Sequence, residues 1–223
     1  MSNIAESIAA TRDRILRACL RAGRRPEEVR LIAVTKKVAV EKVAEASALG
    51  LVDFGENYVQ EAKGKVEALG PGPTWHMIGH LQTNKAKHAA RLFSYIHSID
   101  RIALLSELER LGKPLDLLFE VNLSGEATKH GATEESLRGL LKEAATLRHV
   151  RPIGLMTMPP FDEDPEKSRP YFAALRELLS RVNKEFGMKM TELSMGMSAD
   201  FEVAVEEGAT MVRVGTAIFG ERL

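Results

Sequence analysis

The hydrophobic and polar positions of the chain follow two alternating patterns. Short runs of apolar, often β-branched residues are separated by longer stretches in which apolar residues recur every three or four positions. The first pattern is typical of buried strands, and the second of amphipathic helices. The predicted strands are 31–35, 51–54, 75–78, 95–97, 115–121, 153–156, 192–194 and 211–214. The predicted helices between them include 40–49, 58–69, 101–111, 134–147, 170–186 and 199–207.

The first segment predicts one further helix, over about residues 3–22. Asn3 is a suitable N-cap, and Ile4, Ile8 and Ile15 recur at helical spacing behind it. No Ser/Gly/Pro-rich linker and no repeat interrupts the remaining sequence. Because strand–helix units take up the whole length, we expect residues 1–223 to form a single domain.

Eight strands separated by helices predict an α/β fold, and two architectures share this alternation. An open doubly wound sheet is one, but no G-x-G-x-x-G follows the first strand. Polar residues or glycines follow the C-terminal ends of nearly all eight predicted strands. In a closed barrel these loops converge on one face, where sites are built. The pattern therefore favours a (β/α)8 TIM barrel.

Composition narrows the function classes. The 31 basic and 31 acidic residues give a net charge of zero, so no global field attracts nucleic acid or an anionic membrane. The single cysteine forms no intramolecular disulfide. The first residues mix acids with bases, and no stretch approaches the ~20 apolar residues of a membrane span. We expect a cytoplasmic protein without nucleic-acid or membrane partners, in which any anion is held locally.

A pair of lysines, Lys36 and Lys37, follows the first predicted strand. At the end of a barrel strand, partial desolvation lowers the pKa of an amine and makes it nucleophilic toward aldehydes. Side chains alternate along a strand, so Lys36 shares a face with Ile32 and Val34, and Lys37 shares the other face. Only one lysine can point into the barrel, and this alternation does not decide which, because both faces of such strands are apolar.

The C-terminal loops predict an anion site. Ser198 follows the seventh strand, where it is placed to cap a helix that begins at Ala199. Gly215 and Thr216 follow the eighth strand. Backbone N–H groups at such turns bind anions without a basic side chain, and the loops after strands seven and eight are the usual phosphate position of this fold.

Two more polar residues have open interpretations. Arg213 lies inside the last apolar strand and needs a partner, either a carboxylate such as Asp200 or Glu120, or a ligand. Asn57 stands where a helix cap would explain it. No set of His, Cys, Asp and Glu shows metal-ligand spacing, so the sequence predicts no metal.

Taken together, the motifs AVTKK, DFGENYVQE, WHMIGHLQTNK, GLMTM, ELSMGMSADFEVAVEEGAT and VRVGTAIFG closely resemble those of the pyridoxal phosphate homeostasis proteins (the YggS/PROSC type), from about residue 5 to the end. The resemblance implies a monomeric barrel similar to the N-terminal domain of alanine racemase, with pyridoxal 5′-phosphate (PLP) in its mouth. It implies a Schiff base on Lys36, Asn57 beside the cofactor, and Arg213 near the pyridine nitrogen. Ser198 and the backbone of Gly215 and Thr216 would hold the phosphate.

This resemblance favours a PLP-binding protein of intracellular vitamin B6 homeostasis over an enzyme. A cationic Arg213 at the ring nitrogen would disfavour ring protonation and weaken the electron sink on which most PLP catalysis depends. PLP-dependent apoenzymes are possible recipients. The alternatives are a PLP-dependent amino-acid racemase and, more remotely, a Schiff-base aldolase acting on a phosphosugar.

Overall fold

Eight parallel strands form a closed barrel in the computed structural model, which describes residues 3–126 and 129–221. Each strand pairs with its neighbours in sequence order, and the eighth pairs with the first. The strands are β1 (Arg30–Val34), β2 (Asp53–Glu56), β3 (Thr74–Met77), β4 (Tyr95–Ile99), β5 (Leu115–Glu120), β6 (Val150–Met156), β7 (Glu192–Met197) and β8 (Met211–Val214). The predicted (β/α)8 barrel is thus confirmed, and the open sheet is excluded.

Helices follow the strands on the outside of the barrel. They are α1 (Ile4–Arg21), α2 (Val40–Ala48), α3 (Val59–Leu69), α4 (Ala86–Leu92), α5 (Ile102–Arg110), α6 (Glu134–Ala144), α7 (Arg169–Phe186), α8 (Phe201–Glu206) and α9 (Thr216–Phe219). Within residues 3–126 and 129–221, no helix has both the length and the apolar character needed to cross a membrane.

Helix α1 precedes the barrel and packs against α8 and α9. Its N terminus is capped as predicted, because the Asn3 side chain accepts a hydrogen bond from the Ala5 N–H at 2.9 Å. Ile4, Ile8 and Ile15 are buried on the face toward the barrel. Their helical spacing provided the evidence for this helix in the sequence.

The structure adds two helices that the sequence did not predict, α4 and α9. Helix α4 buries only alanines, Ala86, Ala89 and Ala90, so it lacks the large apolar residues that reveal an amphipathic pattern. Helix α9 has four residues, which is about one turn and too short for periodicity to show. Strands β4 and β7 also continue two and three residues beyond their predicted ends, to Ile99 and Met197.

The barrel has an outer apolar core and a mixed interior. Between the strands and the helices lies one continuous hydrophobic cluster. Inside the barrel a small separate cluster contains Ile32, Leu118, Met156 and Met211. Other buried positions are polar or charged: His76, His97, Glu120, Ser194 and Arg213. Since buried polar groups must be hydrogen-bonded or paired, the interior contains a polar network as well as packing.

Candidate functional site at the barrel mouth

A cavity of about 780 Å³ opens where the strands end. It is lined by all six residues that the sequence assigned to a cofactor, namely Lys36, Asn57, Ser198, Arg213, Gly215 and Thr216. The lining also includes Tyr58, Met158 and Phe161, which the sequence analysis did not single out. Large apolar and aromatic side chains with a few converging polar groups are the usual lining of a small-molecule site.

Lys36, rather than Lys37, contributes its side chain to the cavity. It is half-buried and lies on the face of β1 that carries Ile32 of the interior cluster. Lys37 is exposed and has a left-handed φ of 56°. Its backbone N–H donates to Glu61 Oε1 at 2.6 Å, and the Val38 N–H donates to the Thr35 carbonyl at 2.9 Å. The two lysines are therefore the central residues of a tight turn over residues 35–38, and only the first lines the cavity.

A buried ion network supports this turn from behind. Lys65 of α3 is 5% exposed, and its Nζ donates to the Thr35 carbonyl at 2.5 Å, to Glu56 Oε1 at 2.7 Å and to Glu61 Oε1 at 2.6 Å. Thr35 Oγ1 also donates to Glu56 Oε1 at 2.5 Å. Burial raises the pKa of Glu56, while its bonds to Lys65 and Thr35 act in the opposite direction. The network fixes the residue immediately before Lys36.

The sequence analysis missed this network. Its only sequence feature is a Glu and a Lys four residues apart on a predicted helix, Glu61 and Lys65, and such pairs are usually exposed. Lys65 faces the strands instead, because α3 packs against β2.

The helix-capping role predicted for Ser198 is wrong. Helix α8 begins at Phe201, not Ala199, and Ser198 does not cap it. The Ser198 Oγ instead accepts hydrogen bonds from the backbone N–H groups of Gly215 at 3.1 Å and Ala217 at 3.3 Å. The hydroxyl thus joins the loops after β7 and β8, and it marks a group of converging N–H donors at the cavity wall.

The helix-capping interpretation of Asn57 is also wrong. Helix α3 begins at Val59 with Tyr58 at the N-cap, and no side chain caps it. Asn57 is instead fixed by close backbone packing against Gly79, in the loop after β3. A Cβ at Gly79 would lie 2.7 Å from the Asn57 carbonyl oxygen, so only glycine fits there without a shift. Asn57 is a loop residue of the cavity wall.

Arg213 is buried at the base of the cavity, with 3% exposure. Among the described residues, neither Asp200 nor Glu120, the two carboxylates considered as partners, forms a hydrogen bond with Arg213. Its NH1 donates to Ser194 Oγ at 2.6 Å, and its NH2 donates to the Thr157 carbonyl at 3.0 Å. Burial lowers the pKa of Arg213 to about 10, and Asp200 and Glu120 oppose this shift. The guanidinium therefore stays protonated at neutral pH.

Ser194 connects Arg213 to a chain of buried side chains inside the barrel. His97 Nδ1 lies 2.8 Å from Ser194 Oγ, His97 Nε2 lies 3.0 Å from His76 Nδ1, and His76 Nε2 lies 2.9 Å from Asp53 Oδ1. Burial lowers the pKa of His76 and His97, which keeps both imidazoles neutral. Each ring then has one N–H and one acceptor nitrogen.

The carboxylate at the end of this chain determines the direction of every hydrogen bond. Asp53 accepts from the His76 Nε2–H, so His76 Nδ1 accepts from the His97 Nε2–H. His97 Nδ1 in turn accepts from the Ser194 hydroxyl, which leaves the Ser194 oxygen to accept from Arg213. We call the five residues the Arg213–Asp53 relay. In the sequence, His76 and His97 were two isolated intra-strand histidines. Pairing of β3 with β4 brings their rings together, and barrel closure places Ser194 of β7 next to His97.

Glu120 makes the free energy of unfolding depend on pH. Burial, and to a lesser degree the charge of Asp100, raise its pKa to about 7 from an ordinary 4.5, while Arg213 lowers it. Between pH 4.5 and about 7, the Glu120 carboxyl is protonated in the folded protein and ionised in the unfolded chain. The free energy of unfolding therefore falls as the pH rises through this range. The whole change amounts to about 3 kcal/mol at ~1.36 kcal/mol per pH unit.

We therefore expect Glu120→Gln, which resembles the protonated side chain, to stabilise the protein at pH 8. The expected gain is about 2–3 kcal/mol in the free energy of unfolding, and at pH 4 the two proteins should be equally stable. Urea denaturation at both pH values measures this difference. An equal effect at both values would contradict the raised pKa of Glu120.

The closed barrel, with its cavity at the C-terminal ends of the strands, belongs to a class of proteins, the barrels of the alanine racemase type. Residues 8–223 match the family model described as alanine racemase, N-terminal domain. The alanine racemase of Corynebacterium glutamicum shares the fold, with a TM-score of 0.73 over 98% of this chain and 61% of that chain, at 19% identity.

Other relatives are similar over their whole length. The pyridoxal phosphate homeostasis protein of Aquifex aeolicus is 45% identical over an alignment of 225 positions that covers 99% of each chain. PipY of Synechococcus elongatus, solved with PLP bound, has a TM-score of 0.86 and 37% identity over 98% of this chain and 100% of that chain. The chain therefore belongs to the pyridoxal phosphate homeostasis protein family, as its motifs predicted.

Proposed function

We propose that this protein binds PLP at the barrel mouth as a Schiff base on Lys36 and takes part in PLP homeostasis without catalytic turnover. The observation that carries the proposal is that one cavity contains a lysine, a group of converging backbone N–H donors and a buried arginine. The whole-length similarity to pyridoxal phosphate homeostasis proteins and to PLP-bound PipY supports it.

The donor set fits the three functional parts of PLP. Lys36 supplies an amine that condenses with the aldehyde, forming a C=N bond with the loss of one water molecule. Ser198 and the backbone N–H groups of Gly215 and Thr216 would hold the phosphate dianion, with the Ala217 N–H beside them. The phosphate would share the Gly215 and Ala217 donors that contact the Ser198 Oγ in this structure. Asn57 and Thr216 contribute to the wall beside them.

Arg213 supplies the argument against turnover. When PLP is bound in an enzyme it acts as an electron sink, and protonation of its ring nitrogen strengthens that role. Arg213 is charged, and the Arg213–Asp53 relay anchors one of its nitrogens through Ser194. A fixed cation next to the ring nitrogen would disfavour ring protonation. The arrangement therefore favours binding over catalysis.

Borohydride reduction tests the attachment site. We expect Lys36→Ala to abolish the visible band of the PLP-loaded protein and the mass adduct left after reduction, because the variant lacks the condensing amine. Lys37→Ala is the matched control, since this neighbouring lysine is exposed, and it should retain both. An undiminished adduct in Lys36→Ala would refute the assignment of Lys36.

The racemase alternative is tested separately. It requires the PLP-loaded protein to exchange the α-hydrogen of an amino acid with solvent well above the rate of free PLP. We expect no such exchange across a panel of amino acids, and observing it would refute the non-catalytic part of the proposal. A monomeric state, a cytoplasmic location and transfer of PLP to apoenzymes complete the proposal as predictions.

A further inference from the structure

A cluster of three potential metal ligands lies at the rim of the cavity, apart from the residues assigned to PLP. His80 follows β3, Asp100 follows β4, and His130 lies in the loop between β5 and α6. One ligand atom from each lies within 4.8 Å of the other two. The sequence predicted no metal because 20 to 30 residues separate these positions, and the barrel brings their loops together.

Two of the three ligands already have the spacing of a metal site. His80 Nδ1 lies 3.4 Å from Asp100 Oδ2. Two ligands bound tetrahedrally to zinc at about 2.0–2.2 Å are separated by about 3.3–3.6 Å. The third ring, His130, stacks on His80 with centroids 4.0 Å apart. The two ring planes are 15° apart, so a shared metal ion requires the His130 side chain to rotate out of this stack about its own torsions.

Surrounding contacts hold two of the ligands in place. Arg101 binds Asp100 Oδ1 through its NH1, which leaves Oδ2 directed toward His80, and its NH2 donates to the Leu81 carbonyl. Arg101 thus joins the loops that carry His80 and Asp100. A hydrogen-bonded group behind a ligating carboxylate is a common feature of metal sites.

The loop that carries His130 is also anchored. Ala132, two residues further on, donates its N–H to the Glu120 carbonyl at 2.7 Å and accepts from the Asn122 N–H at 3.0 Å. His130 is therefore held close to the end of β5 by backbone hydrogen bonds. All three ligands project from restrained segments.

We propose that His80, Asp100 and His130 form a binding site for a divalent transition-metal ion, with Zn²⁺ as the probe of choice. Two imidazoles and one carboxylate match the ligands of zinc and its neighbours, and they are poorly suited to Mg²⁺ or Ca²⁺. Three protein ligands leave a fourth position for water or a small ligand. The site uses none of the residues assigned to PLP, so it does not depend on that assignment.

Titration of the PLP-free protein with Zn²⁺ in competition with a chromophoric chelator tests the site. We expect one equivalent to bind to the wild type. His80→Ala and His130→Ala should each weaken binding by at least about tenfold, because even the loss of a group behind a ligand commonly costs that much. Circular dichroism of each variant confirms that it is folded.

His149→Ala is the matched control. His149 is exposed and lies 2.9 Å from Glu109 Oε1, so it offers an imidazole and a carboxylate without a third ligand in the described residues. This variant should bind zinc as the wild type does. Equal zinc affinity in all four proteins, or an equal loss in His149→Ala and His130→Ala, would overturn the proposal.

Discussion

Lys65→Met is expected to lower the free energy of unfolding by about 3–5 kcal/mol, the usual cost of removing one partner from a buried ion pair. The Lys65 ammonium contacts two carboxylates and a backbone carbonyl with 5% exposure. Glu56 is fully buried, and its second oxygen, Oε2, has no hydrogen-bond partner among the described residues. Without Lys65, Glu56 must take up a proton or remain as an uncompensated charge.

Lys63→Met provides the matched control on the same helix. Lys63 also has a glutamate four residues away, Glu67, at 3.8 Å, but both side chains are more than half exposed. Exposed pairs of this kind contribute little, so the change should cost less than about 0.5 kcal/mol. Urea denaturation at pH 7 compares the two variants. Similar losses in both would contradict a buried ion network at Lys65.

The same pair of variants tests whether the network positions Lys36. Lys65 binds the carbonyl of Thr35, the residue before Lys36, and Glu61 binds the N–H of Lys37, the residue after it. If these contacts hold the turn, Lys65→Met slows formation of the PLP adduct while Lys63→Met does not. Equal rates would show that Lys65 stabilises the fold without positioning Lys36.

Ser194→Ala is the second change with a large expected effect. The Ser194 hydroxyl accepts from Arg213 and donates to His97, and all three residues are buried. The variant leaves an arginine donor and a histidine acceptor without their partner, at a cost of about 2–6 kcal/mol, since each unsatisfied buried group costs about 1–3 kcal/mol. Because Arg213 loses one of its two hydrogen-bond acceptors, we also expect weaker PLP binding.

Ser98→Ala is the control for this change. Ser98 is likewise a fully buried serine on a barrel strand, but its hydroxyl has no hydrogen-bond partner among the described residues. Its removal should be neutral or slightly stabilising, because it relieves an unsatisfied polar group. Thermal unfolding of both variants measures the contrast. If Ser194→Ala is as stable as Ser98→Ala, Arg213 and His97 find other partners and the relay contributes nothing.

Periodicity predicted the elements whose residues carry strong local patterns. All eight strands and helix α1 were found, since β-branched runs and the spacing of Ile4, Ile8 and Ile15 depend only on near neighbours in the chain. The alanine-rich α4 and the single turn α9 left no such pattern. The end of β7 was also missed, because Gly196 and Met197 in that stretch read as a turn.

The sequence by itself indicated the barrel, through its alternating strands and helices, and the family, through its motifs. It also placed Lys36, Ser198 and Gly215 just after strand ends, where the loops of a barrel converge. Side-chain alternation left open whether Lys36 or Lys37 enters the cavity, although the family resemblance pointed to Lys36. Only the tertiary structure shows Lys36 in the cavity wall, Ser198 joining two loops, and the contacts that anchor Arg213. These outcomes depend on contacts between residues far apart in the chain, such as Asp53 with His76 or Ser194 with His97. Asp53 and His76 meet because β2 pairs with β3, whereas Ser194 on β7 reaches His97 on β4 across an interior that exists only when β8 closes against β1.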